Sequence, residues 1–170
     1  SNIELVRLVG DGDSIVNNTI GICDDYEDYT ALYTTLTAGQ SYSVDVKLGN
    51  CTPPFAYDDG AKIFIDWNID GDFLDNGEEV ATIVISTSPS THSVNFTVPS
   101  FAIPGVTRMR VVAQYNSDTF GPCEVGTWLP NVTPPWFGAT EDYSIVISAT
   151  AILTNATYQW YSGAGSTTPI

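Results

Sequence analysis

Positive charge is scarce in this sequence: five Lys and Arg stand against 20 Asp and Glu in 170 residues, a formal net charge of −15. Binding a phosphate backbone needs a basic face that five dispersed cations cannot make, so no nucleic acid partner is expected. An anionic membrane surface is disfavoured for the same reason. No apolar run approaches bilayer length, so no membrane insertion is expected either. No signal peptide opens the sequence, so if the protein is exported these residues should be its mature part. Histidine and methionine occur once each, as His92 and Met109. The three cysteines, Cys23, Cys51 and Cys123, fit no zinc spacing but suffice for one disulfide.

Sustained helical periodicity is also missing. Short alternating or apolar runs separated by turn residues recur instead, which predicts an all-β chain. Expected strands are 3–9, 30–36, 42–48, 61–67, 79–86, 93–98, 107–115 and 143–149. About eight such strands suggest one antiparallel β-sandwich, jelly-roll or immunoglobulin-like, over residues 1–150. If successive strands reverse direction, the connections carrying the three cysteines lie at one end of the sandwich. Three pairings are open, and Cys51 with Cys123 is the one expected. Residues 151–170 read as a linker and an extended segment. Tyr158, Trp160 and Tyr161 there resemble the start of an immunoglobulin-like repeat, or an assembly strand for another copy.

The acids cluster, with six between Asp66 and Glu79 and four between Asp24 and Asp28. Asp66, Asn68, Asp70 and Asp72 place oxygen donors at alternate positions, with Gly71 after the third, as in EF-hand-type loops. Calcium takes six to eight hard oxygens. The expected set is the side chains of Asp66, Asn68 and Asp70, the carbonyl of Asp72, and Glu78 or Glu79 as the closing carboxylate, since the twelfth position is Gly77. The bland alternative is a solvated acidic turn. A second cation could be held by Asp25, Asp28, Glu141 and Asp142, against the alternative of a wet acidic loop. Trp128, Trp136 and Phe137, in a proline-stiffened connection, could stack on sugar or anchor a protein contact, as could Trp160. The other reading is a connection folded over a sheet.

Catalysis has little to work with. His92 stands alone in a Thr/Ser-rich turn, and Glu78 and Glu79 would point to opposite faces of a strand, so no enzyme is expected. Asp13-Ser14-Ile15 makes Ser14 a candidate O-glycosylation site, and several Asn-x-Ser/Thr sequons, such as that at Asn17, would matter only in a eukaryotic secretory pathway.

The stretch Ala61-Lys62-Ile63-Phe64-Ile65-Asp66-Trp67-Asn68-Ile69-Asp70-Gly71-Asp72-Phe73, followed by Gly77-Glu78-Glu79-Val80, resembles the signature of GEVED domains. Tyr26-Glu27-Asp28-Tyr29-Thr30, the strand from Thr107 to Val111, and Gly138-Ala139-Thr140-Glu141-Asp142-Tyr143 agree in order. The last matches the motif that names the family, with Ala139-Thr140 replacing its Glu-Val. The resemblance implies an extracellular β-module of secreted, Bacteroidetes-type surface proteins, found beside adhesive repeats, proteases and sorting signals; it implies no reaction. The expected function is a calcium-binding structural or adhesive module of a cell-surface adhesin or filament. Its expected partners are other copies or domains of the same protein. The competing function is a carbohydrate-binding module attached to a secreted enzyme.

Overall fold

The computed structural model describes residues 1–51, 56–123 and 138–150. They form nine strands: β1 (Asn2–Val9), β2 (Ser14–Asn18), β3 (Tyr26–Thr37), β4 (Ser41–Gly49), β5 (Tyr57–Ile65), β6 (Glu79–Ser88), β7 (Ser90–Thr97), β8 (Gly105–Tyr115) and β9 (Gly138–Ser148). Two sheets face each other, ordered β2-β1-β4-β7 and β3-β9-β8-β5-β6. The all-β sandwich expected from the sequence is what forms, with one strand more than the eight expected. It is not wholly antiparallel, because β3 and β9 run parallel in their sheet.

Strand alternation builds the core. On β8, Thr107, Met109, Val111 and Ala113 turn inward, while Arg108, Arg110, Val112 and Gln114 stand on the opposite face. The inward set meets Val6, Leu8, Val44, Val46 and Leu48 of the facing sheet, all fully buried. The outer face of the five-stranded sheet is covered in part. Phe64 and Val112 pack there with Phe73 from the β5–β6 connection and Phe120 from the chain after β8. Gly60 permits this return, since a side-chain carbon on it would meet the Ser117 carbonyl oxygen at 2.3 Å.

That return overturns the expected disulfide. Cys51 bonds Cys23, with Cα atoms 5.8 Å apart, and Cys123 is a free, exposed thiol. The parity argument places Cys23 and Cys51 at one end. It fails for Cys123 because the chain after β8 doubles back over the sheet. Phe120 holds it there under Lys62, and the Arg110 guanidinium donates to the Pro122 carbonyl at 3.2 Å.

Candidate functional site

The connection from Asp66 to Glu78 is organised from its two ends. Asp66 follows β5 and is nearly buried. Its carboxylate accepts from the Ile69 amide at 2.7 Å and the Gly71 amide at 3.1 Å, and its carbonyl takes the Thr107 hydroxyl. Glu78, 1% exposed, mirrors it by accepting from the amides of Trp67 at 3.0 Å and Asp75 at 3.2 Å. Burial pushes the Glu78 carboxyl above its ordinary range, against the pull of those amides. Ile69 and Gly71 adopt φ of 58° and 95°, the left-handed backbone a tight reversal needs. Two aromatic side chains fasten the loop: Trp67 is buried and donates its indole N–H to the Gly77 carbonyl, while Phe73 packs on Phe64 beneath Arg110.

Between these ends runs a ladder of Asx turns. Asn68 accepts from the Asp70 amide, Asp70 from the Asp72 amide and Asp72 from the Leu74 amide. The ladder brings carboxylate oxygens of Asp70, Asp72 and Asp75 within 4.8 Å of one another, all three exposed. The Asn68 amide group bridges the cluster, donating to Asp70 at 3.0 Å and Asp75 at 2.6 Å. Such a cluster is an all-oxygen set that suits a hard cation. Of the sequence-expected ligands, Asp70 and Asp72 are in the cluster, Asn68 bridges it, and Asp66 and Glu78 brace the loop behind it. Glu79 faces elsewhere, holding the Lys62 ammonium at 2.8 Å and the Thr82 hydroxyl at 2.7 Å. Asp75 was missed, because a twelve-residue EF-hand frame passes over the tenth position. An acid just before the turn at Gly77 was the available signal.

The second acidic set does not converge. Parallel pairing puts Glu27 beside Glu141, Asp28 beside Asp142 and Tyr29 beside Tyr143, so two Glu-Asp-Tyr triplets lie in register on neighbouring strands. Alternation then sends Glu141 inward and Asp142 outward. Asp142 is fully buried and already neutralised: Arg110 donates to it twice, at 2.7 and 2.8 Å, and Arg108 approaches at 3.4 Å. Asp25 is exposed and contributes its backbone carbonyl to the Thr140 amide, while Asp28 caps the Thr30 amide. Glu141 accepts from the Tyr143 hydroxyl at 2.5 Å and the Thr19 hydroxyl at 3.2 Å. Burial, with Glu27 alongside, pushes its carboxyl up to about 8.

Ser14 begins the edge strand β2 and is exposed. His92 lies within β7 rather than in a turn, half-buried beside Ser86 and Ser90, and burial pushes its imidazole down. Trp128, Trp136, Phe137 and Trp160 lie outside the described residues.

No curated protein matches this sequence. The family model described as "GEVED domain" matches residues 60–146, just over half of the chain. The match runs from β5 into β9, taking in the Asp66–Glu78 connection and the Glu141-Asp142-Tyr143 triplet. The chain belongs to the GEVED domain family.

Proposed function

We propose that this chain is a calcium-binding, non-enzymatic structural or adhesive module of an extracellular surface protein or filament. The observation that carries the reading is the convergence of Asp70, Asp72 and Asp75 on one point of a connection whose backbone is otherwise satisfied by its own side chains. Three carboxylates so close repel one another, and a divalent cation turns that repulsion into attraction. A backbone carbonyl of the loop would add to the shell, as would the Asn68 amide oxygen once that side chain turns its NH2 away from the carboxylates. The Cys23–Cys51 bridge supports an oxidising compartment. The partners proposed are further copies or domains of the same surface protein, reached through the chain beyond Thr150.

Extracellular calcium modules bind with dissociation constants of about 10⁻⁴ to 10⁻³ M, so millimolar calcium contributes roughly 1 kcal/mol by mass action. The role is mechanical: a stiffened loop at one end of the sandwich, resistant to proteolysis. The test is a thermal melt with calcium and with chelator, repeated on Asp66→Ala and Asp70→Ala. Calcium should raise the wild-type midpoint and leave the variants unmoved. No shift in the wild type, together with no heat in a calcium titration, would reduce the loop to an acidic turn.

A further inference from the structure

Beside the acidic loop, on the outer face of the five-stranded sheet, lies a groove of about 590 Å³. The loop contributes Asp70, Asp72 and Phe73 to its lining, and the sheet contributes Arg108 and Arg110 with the hydroxyl residues Thr30 and Ser144. A cavity of this size holds a small ligand or a short stretch of polymer.

Arg108 is the unusual member. In a chain this acidic, cations should be saturated by carboxylates, and Arg7, Lys47 and Lys62 each hold a carboxylate of their own at 2.5 to 2.8 Å. Arg108 and Arg110 instead share Asp142. Arg110 occupies both of its oxygens, and Arg108 reaches it only at 3.4 Å, with half of its side chain exposed. Asp28 lies within electrostatic reach of Arg108, but its own bonds go to Thr30. The Arg108 guanidinium therefore keeps donors for a further acceptor, and its planar fork fits a carboxylate. Val106, 64% exposed, and Ile69 give the same groove apolar surface.

A bare anion would be repelled by Asp70 and Asp72. A ligand suited to this lining carries a carboxylate for Arg108 and several hydroxyls to donate to Asp, Thr and Ser oxygens. It also needs a compact apolar face for Val106 and Ile69. That combination is a sugar acid. We infer that the groove binds a single uronic acid unit of a carbohydrate, the carboxylate on Arg108 and the hydroxyls toward Asp70 and Asp72. This rests on the calcium reading, because a cation among Asp70, Asp72 and Asp75 removes the repulsion that would otherwise keep the anion out. Uronate binding should accordingly need calcium.

The test is titration calorimetry of the whole chain with trigalacturonate, too short to be gelled by calcium, and with neutral galactotriose. Each is run at millimolar calcium and in chelator, and calcium binding is measured separately. Trigalacturonate should bind with calcium and not in chelator, and galactotriose should bind far more weakly. Arg108→Gln should weaken trigalacturonate about ten- to a hundredfold with calcium affinity unchanged. Arg108→Lys should recover only part of the loss, since an ammonium lacks the fork. Calcium binding without trigalacturonate binding overturns the groove and leaves the calcium loop standing. Equal binding by Arg108→Gln overturns the groove as well, whereas absent calcium binding removes the loop reading and the calcium dependence together. Binding of free lysine in chelator, in preference to trigalacturonate, would identify the groove as an amine site and overturn the proposal.

Discussion

Glu141 is 1% exposed, and its carboxyl is pushed up to about 8 because burial penalises its charge more than the Tyr143 and Thr19 hydroxyls favour it. The folded chain therefore holds a proton that the unfolded chain releases near 4.5. That contribution to stability is complete below the unfolded value and is lost as pH rises toward about 8. Asp11, Asp28 and Asp45 are shifted the other way, so their contributions are lost only as pH falls into the acid range. Between about pH 5 and 8 Glu141 should lower the wild-type melting temperature as pH rises, against His92, whose burial-depressed imidazole acts in the opposite direction. Glu141→Gln, a neutral isostere, should remove that decline and melt above wild type at pH 8; an unchanged pH dependence would place the proton elsewhere. Asp142, next along the strand, is the buried partner of Arg110. Removing its charge strands a guanidinium, so Asp142→Asn should cost about 3 kcal/mol in denaturant unfolding. The sequence showed both acids as one cluster because it lists them side by side. Only the strand's alternation separates a protonated core carboxyl from an ion-paired one.

At the scale of elements, the runs of alternating residues were legible and their partners were not. Seven of the eight expected strands differ from the observed ones chiefly at their ends, and the eighth, 143–149, is the latter half of β9. The missed strand, β2, has only five residues, two of them Asn, and owes its place to pairing with β1 rather than to its own pattern. The parallel β3–β9 pair was invisible for another reason. Alternation is the same in either direction, so the repeated Glu-Asp-Tyr triplet was the only hint that the strands lie in register. In the same way, a connection's starting end says nothing of where a long loop returns, which is why Cys123 was misassigned. The bridge that does form closes a separation of 28 residues. In the chain-entropy model it contributes about 3.6 kcal/mol. Reduction, or Cys23→Ser with Cys51→Ser, should lower stability by roughly that amount, while Cys123→Ser should leave it unchanged. Peptide mapping that finds Cys123 in a disulfide would reject this pairing.

For the whole molecule the governing quantity is a net charge of −15. Four of the five cations hold a carboxylate closely, on Glu4, Asp45, Glu79 and Asp142, and Arg108 reaches Asp142 at 3.4 Å, so most of the acids have no cation and repel one another across the surface. Any added salt should therefore raise the melting temperature by screening. That effect must be removed before a calcium site can be claimed, and magnesium at equal ionic strength is the proper reference. Magnesium demands near-octahedral geometry and sheds water reluctantly, so an irregular loop should hold it poorly. The discriminating variant is Asp70→Asn with Asp72→Asn. An Asn side chain keeps the oxygen that accepts each Asx-turn amide, so the ladder survives while two charges vanish. In chelator the double variant should melt above wild type, because the relieved repulsion outweighs the lost bond from Asn68 to Asp70. In millimolar calcium the order should invert, with wild type gaining about 2 to 4 °C over its magnesium control and the variant gaining none. Screening alone cannot produce that crossing, since it acts on both proteins in the same direction. Parallel gains in both proteins would assign the whole response to surface charge and leave the loop without a bound ion.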